Sequence, residues 1–260
     1  MNHNEILPAV SLLQHVGGEI ARWRTDESAR FMHSEAEFKT EADQRAHDAI
    51  CKGLEKLFPG VPILSEEGKD ITAERPDVYW LIDPIDGTAS WYGGFPGFVT
   101  QAALIQEGHP IVGIVHAPVL ERTWKGVLGG GAFCNDSALP RLVPHSRCLV
   151  VDNYPTPKRA AATLMKQIPG ASYLESGSLG LKCCLVVDGA ADLFVKDVIV
   201  RDWDIAPAAV MLREVGGVLL LADGSEYCFT GVMAKTGGIV VARDAEIAKM
   251  ALSVLNEDEI

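Results

Sequence analysis

Apolar residues recur at helical spacing near the start of the chain, where Ile6, Val10, Leu13, Val16 and Ile20 share one face of residues 5–23. Ala46, Ile50, Leu54 and Leu57 repeat that spacing after the polar segment Lys39-Thr40-Glu41, so two amphipathic helices are predicted. The texture then changes to short β-rich runs, Val61-Pro62-Ile63-Leu64 and Val78-Tyr79-Trp80-Leu81-Ile82, which lead into acids at Glu66 and Asp83. Val99 to Gln106 and Ile111 to His116 flank Glu107-Gly108-His109-Pro110 as a hairpin, and Thr123 to Val127 is a third strand before the turn Gly129-Gly130-Gly131. Beyond Arg147 the two periods alternate. Strands are expected at Cys148 to Val151, Asp192 to Val195, Val218 to Leu221 and Gly238 to Val241, and helices at Lys158 to Gln167, Ser178 to Val187 and Asp204 to Val215. A closing helix carries Ile247, Met250, Ala251 and Val254 on one side.

Alternation of this kind predicts layered α and β elements. With 260 residues, 48% apolar and 22% charged, the chain is long enough to bury one or two cores, and the Pro-containing stretch Leu139 to Pro144 divides it into halves at 1–143 and 144–260. The 23 Lys and Arg stand against 35 Asp and Glu, and this charge of −12 disfavours a nucleic-acid polymer or an anionic membrane as partner. An anionic substrate would therefore need a metal. Apolar runs fall short of the roughly 20 residues a membrane helix requires, and the opening MNHNEILPAV carries an acid where a signal peptide carries bases, so a cytoplasmic location is expected. The six cysteines form no CxxC pair and are expected to be reduced, with Cys183 and Cys184 as small buried hydrophobes. His116, within an apolar run, is read as a packed, hydrogen-bonded residue.

The densest chemistry lies in Asp83-Pro84-Ile85-Asp86-Gly87-Thr88, directly after an apolar strand. Two carboxylates three residues apart can converge on one hard cation if Pro84 fixes the turn and Gly87 permits tight backbone, and the main-chain oxygen of Ile85 lies between them. Gly87 and Thr88 stand where a helix can begin, offering N–H groups and a hydroxyl to an anion. An EF-hand reading fails on spacing, because Thr88 would occupy the Gly position and Gly94 the Glu position. An Asx-turn or cap at Asp86 without metal is the plainer alternative. Ser65-Glu66-Glu67-Gly68 ends the preceding strand, and Arg201-Asp202-Trp203-Asp204 opens a later helix, where Asp204 also suits an N-cap.

Together, Asp83-Pro84-Ile85-Asp86-Gly87-Thr88 and Trp203-Asp204-Ile205-Ala206 resemble the paired signature of the inositol monophosphatase superfamily. Lys39-Thr40-Glu41-Ala42-Asp43, Leu64-Ser65-Glu66-Glu67 and Gly131-Ala132-Phe133 resemble further family segments in the family's order, so the likeness spans most of the chain. The resemblance implies an α-β-α-β-α sandwich of the inositol monophosphatase and fructose-1,6-bisphosphatase type. It also implies a lithium-sensitive, Mg²⁺-dependent phosphomonoesterase with two or three ions per site, acting on a small phosphorylated metabolite, usually as a homodimer. By the same resemblance the metal ligands are Glu66, Asp83, the Ile85 carbonyl, Asp86 and Asp204. Asp43 assists a metal and pairs with Thr88, and Glu67 has a supporting role. One ion near Glu66 and Thr88 would activate water; a second, on Asp83, Asp86 and Asp204, would stabilise the leaving alkoxide. Glu66, Thr88 and Asp43 are thus the expected catalytic residues. The sequence carries no nucleophile elbow, HExxH or P-loop.

Substrate features divide. Val115-His116-Ala117-Pro118-Val119 resembles the Tyr-Ala-Pro-Val segment of the 3′(2′),5′-bisphosphate nucleotidases, and Gly177-Ser178 followed by Lys182 resembles their Gly-Ser-Ser-Leu-Lys region. Lys182 would then meet a second phosphate, unless it lies on the exposed side of its helix. Thr88-Ala89-Ser90-Trp91 lacks both the Lys-Glu-Phe of the nucleotidases and the Thr-Asn-Phe of the inositol monophosphatases. Asp197, seven residues before Asp204, stands where the latter place an acid for substrate hydroxyls. Expected substrate contacts are Asp86, Gly87, Thr88, Lys182 and Asp197. A bisphosphate nucleotidase is the first expectation, with inositol-1-phosphate, histidinol-phosphate or fructose-1,6-bisphosphate hydrolysis as alternatives. A non-catalytic metal-binding regulator is the alternative of another class, and the full set of implied ligands speaks against it.

Overall fold

The computed structural model describes residues 1–34, 38–68 and 75–257. Helix α1 (His3–Trp23) leads into a small antiparallel pair, β1 (Met32–Ser34) and β2 (Lys39–Thr40), and then helix α2 (Glu41–Leu57). Next come strands β3 (Ile63–Ser65) and β4 (Val78–Asp86), the short helix α3 (Thr88–Tyr92), and strands β5 (Val99–Gln106), β6 (His109–Ala117), β7 (Arg122–Val127), β8 (Gly131–Cys134) and β9 (Ser137–Ala138). Strands β3 to β9 form one sheet in chain order, parallel only between β3 and β4.

The later elements are β10 (Leu149–Asp152), α4 (Arg159–Gln167), β11 (Ser172–Glu175), α5 (Leu179–Val187), β12 (Leu193–Lys196), β13 (Val200–Arg201), α6 (Asp202–Val215), β14 (Val218–Leu221), β15 (Ala234–Lys235), β16 (Ile239–Ala242) and α7 (Ala245–Glu257). Their main sheet has the order β11-β10-β12-β16-β14, and β13 pairs separately with β15. Because β10, β11 and β12 run parallel, helices α4 and α5 make the crossovers.

Burial explains the stacking. Strand β4 is apolar on both faces: Trp80 and Ile82 pack with Leu13, Ile20, Ile50 and Leu54 of α1 and α2, whereas Tyr79 and Leu81 face the opposite way. On that second side, Leu181 and Val187 of α5 and Ile205 and Met211 of α6 fill the space against Phe194 and Val241 of the second sheet. Val150, Leu193 and Val240 then meet Leu164 of α4 and Ala251 of α7. The layers run α, β, α, β, α, as the family resemblance implies. Helix α6 can lie on β6 because Gly113 has no side chain; a Cβ there would come within 1.9 Å of the Pro207 carbonyl oxygen.

Element ends differ from the sequence expectations for local reasons. The hairpin loop is the two residues Glu107 (φ 51°) and Gly108 (φ 75°), since a left-handed pair matches the strand twist and lets β6 begin at His109. Strands β8, β9 and β11 span four residues or fewer, too short to show alternation. Glu5 serves as a helix cap: its carboxylate accepts the Asn2 N–H at 2.6 Å while Asn2 Oδ1 accepts from Asn4 and Glu5. Among the described residues no helix is long and apolar enough to cross a membrane. The six cysteines are free thiols, and Cys183 and Cys184 are buried.

His116 is buried against Gly17 and its Nδ1 lies 2.9 Å from Thr123 Oγ1. Burial depresses the imidazole to about 4. The unfolded chain therefore takes up this proton near the ordinary His value of about 6.5, and the stability that neutral His116 supports is lost as pH falls towards 4. His116→Gln is expected to flatten the fall of the thermal midpoint between those two pH values; an unchanged slope would show that other groups dominate the acid limb.

Candidate active site

Asp83 and Asp86 sit at the carboxyl end of β4, and both are buried. In a regular strand, residues three apart point to opposite faces. Here Asp83 pairs with Gln101 and Asp86 with Val99, so β4 holds one residue more than its partner across this interval. That bulge, between Asp83 and Asp86, lets both carboxylates turn to the same side. Gly87 follows with φ 89° and caps α3, and a Cβ on it would meet the Ser178 Cβ at 2.7 Å. Only glycine satisfies both the dihedral and the contact.

Asp204 arrives from the first turn of α6, where its Oδ2 accepts the Arg201 N–H at 2.8 Å. Oxygens of Asp83, Asp86 and Asp204 lie within 4.8 Å of one another. Asp86 is held from a third direction, by the Leu179 N–H at 3.2 Å and the Gly180 N–H at 2.5 Å, at the start of α5. Gln101 Nε2 stands 3.4 Å from the same carboxylate. Asp83 Oδ1 is buried without a hydrogen-bond partner, which marks it as the oxygen that a cation would complete.

Burial raises all three carboxyls, and repulsion from Glu66 and from one another adds to the effect at Asp83 and Asp204. At Asp86 the α5 N–H groups and the charge of Lys182 oppose the rise. Glu66, just past β3, is outside the tight trio but close enough to interact with Asp83, Asp86 and Asp204; burial and Glu67 push it to about 7. Glu67 pairs with Lys39 at 3.2 Å.

Asp43 lies at the third position of α2, where its Oδ2 accepts from the Thr40 N–H at 2.8 Å and the Thr40 hydroxyl at 2.6 Å. Its Oδ1 is 2.9 Å from Thr88 Oγ1, which also lies 3.0 Å from the Ile85 carbonyl oxygen. Asp43, Thr88 and Ile85 are thus brought together beside the trio.

Lys182 and Asp197 are placed differently. Lys182 is almost fully buried, with Nζ 3.2 Å from Asn153 Oδ1, 3.6 Å from Asp152 and 4.8 Å from the centre of the Phe194 ring. It is not on an exposed helix face, and burial lowers it to about 8. Asp197 is paired with Arg159 at 3.1 Å and lines a small cleft with Asn153, Lys158 and Lys196. Sequence reasoning missed the backbone donors of α5, which carry no side-chain signature, and Gln101, whose signal was a polar residue inside an apolar strand.

The layered α/β architecture carries an all-oxygen carboxylate cluster of the kind that could hold a divalent metal. The chain belongs to the inositol monophosphatase family, whose profile matches residues 2–258. It is 29% identical to inositol monophosphatase 2 of Solanum lycopersicum, over 93% of this chain and 94% of that one. It is 30% identical to the 3′(2′),5′-bisphosphate nucleotidase CysQ of Aggregatibacter actinomycetemcomitans, over 69% and 70%. The solved inositol monophosphatase of Thermotoga maritima superposes with a TM-score of 0.82 at 25% identity, covering 98% of this chain and 97% of its own. The chain is accordingly a phosphoric monoester hydrolase, and its family is Mg²⁺-dependent.

Carboxyls raised in the folded state favour folding below their ordinary pKa and cost stability as pH climbs, for Glu66 through about 7. In chelator, the thermal midpoint is expected to fall between about pH 5 and pH 8, and Mg²⁺ to restore it more at pH 8 than at pH 5. A midpoint at pH 8 that ignores Mg²⁺ would count against metal binding at the cluster.

Proposed function

We propose that the chain hydrolyses a 3′(2′),5′-bisphosphate nucleotide with two or three Mg²⁺ ions per site, releasing inorganic phosphate. The strongest support is the trio Asp83, Asp86 and Asp204, with its unpartnered Asp83 oxygen, standing beside the Thr88–Asp43 pair. Glu66, Asp83, Asp86, Asp204 and the Ile85 carbonyl would hold the ions. Bound Mg²⁺ would supply positive charge to the phosphoryl and leaving oxygens and ease deprotonation of the attacking water. Thr88, whose hydroxyl donates to Asp43, would have an oxygen lone pair free to accept a hydrogen bond from that water and help orient it. Gly87 and Thr88 give backbone N–H groups to the phosphate.

The substrate choice rests on charge around the adjoining cleft. Lys158, Arg159 and Lys196 line it with Asp152 and Asp197, and Lys182 stands 3.6 Å from Asp152. Asp197, the acid an inositol ring would use, is committed to Arg159. A second phosphate gains charge-assisted contacts there, whereas a neutral polyol must compete for Asp197. Homodimer assembly belongs to this reading by family resemblance, and sedimentation tests it.

With Mg²⁺ present, adenosine 3′,5′-bisphosphate is expected to be hydrolysed faster than inositol 1-phosphate, fructose 1,6-bisphosphate or histidinol phosphate. Preference for inositol 1-phosphate would overturn the substrate assignment. Asp83→Asn, Asp86→Asn and Asp204→Asn should each lower turnover by about 100-fold or more, since several kcal/mol of transition-state stabilisation depend on the ions. Arg159→Ala should raise KM for the bisphosphate about tenfold, the worth of one charge-assisted contact, while leaving kcat near wild type.

A further inference from the structure

Asp202, two residues before Asp204, is fully buried, and no step above uses it. Its Oδ2 is 2.5 Å from Arg75 Nη2, its Oδ1 accepts the Tyr227 hydroxyl at 2.7 Å, and Lys235 Nζ stands 3.9 Å away. Its own N–H donates to the Met233 carbonyl at 3.0 Å. Arg75 reaches further, donating to the Phe229 carbonyl oxygen and lying 3.4 Å from the Tyr79 hydroxyl on β4.

We propose that the Asp202–Arg75 pair, closed by Tyr227, is a positioning clamp that ties the first turn of α6 to the approach to β4 and so sets Asp204 against Asp83 and Asp86. The two elements it joins are those that deliver the three clustered carboxylates. Residues two apart on a helix project about 200° apart around its axis, so Asp202 grips the turn from the side opposite Asp204. An acid at the start of a helix is favourable while exposed. Complete burial adds a desolvation cost that pairing must offset, and what it adds in return is a fixed geometry. Mg²⁺ makes that geometry matter, because its near-octahedral shell at about 2.1 Å tolerates little displacement of a ligand. Asp202 is therefore a positioning residue acting through Asp204.

This rests on the cluster being a Mg²⁺ site, so the test begins with calorimetry of Mg²⁺ binding to the full-length wild type without substrate. No binding by the wild type would remove the metal site and the clamp with it. Given wild-type binding, Asp202→Asn is expected to fold and to bind Mg²⁺ about 10- to 100-fold more weakly, the usual cost of losing a group that orients a ligand. The same affinity as wild type would overturn the clamp and leave the metal site standing. Adding Arg75→Gln to Asp202→Asn removes the stranded charge and should recover thermal stability without recovering affinity; parallel recovery of both would mean a purely structural pair. If Asp202→Asn does not fold, Tyr227→Phe keeps the ion pair and should still weaken Mg²⁺ binding several-fold, and an unchanged affinity in that variant would overturn the proposal.

Discussion

Repulsion among carboxylates drawn together in a buried corner is the constraint around which the rest of the structure is arranged. Two unit charges separated by about 4 Å at an effective dielectric near 20 repel by about 4 kcal/mol, and Asp83, Asp86 and Asp204 form three such neighbouring pairs. Each acid is balanced differently. Asp86 takes two N–H groups from α5, and Asp204 takes one from Arg201. Asp83 keeps an oxygen that none of the described residues satisfies. The imbalance is left where a cation would offset all three acids at once.

The layers follow from the same need. Helices α5 and α6 lie between the two sheets, shielded on both sides, and the first turn of each meets the end of β4. A partial positive charge at a helix start is most effective where water is excluded, and the central layer provides that environment. The bulge between Asp83 and Asp86 completes the arrangement by placing both β4 acids on the side from which the helices approach. Gly87 and Gly113 have no side chain for a related reason: one lets α3 begin against Ser178, and the other lets α6 rest directly on β6.

Much of this was legible before the coordinates. The amphipathic faces of α1 and α2, the hairpin of β5 and β6 and the alternation beyond Arg147 follow from periodicity, because burial on one face or two leaves a pattern in the order of residues. Asp83, Asp86, Thr88 and Asp204 stood out as acids and turn residues at element ends. What stayed hidden depends on contacts without a local pattern. The α5 N–H groups belong to Leu179 and Gly180, whose side chains announce nothing. Lys182 reads as a surface residue until Asp152, Asn153 and Phe194 are seen to enclose it. Asp202 reads as an ordinary helix-start acid, and its partner Arg75 is 127 residues away.

A chain of net charge −12 that acts on an anion must reverse its own field locally. Ions at the carboxylate cluster would do so for the phosphoryl group being hydrolysed, but ions held by carboxylates are largely neutralised by them. Any preference for a second anionic group must therefore come from side chains nearby. Along the cleft, Lys158, Arg159 and Lys196 outnumber Asp152 and Asp197 by three to two. The Arg159–Asp197 pair is largely exposed, and such pairs are worth about 0–1 kcal/mol, so opening it costs little. A phosphate that draws Arg159 away leaves Asp197 to water and gains a charge-assisted contact; a polyol that draws Asp197 away leaves the arginine unpaired for a weaker neutral hydrogen bond. On that balance of exchanges, the charges around the cleft support the proposed reading of a substrate with a second anionic group.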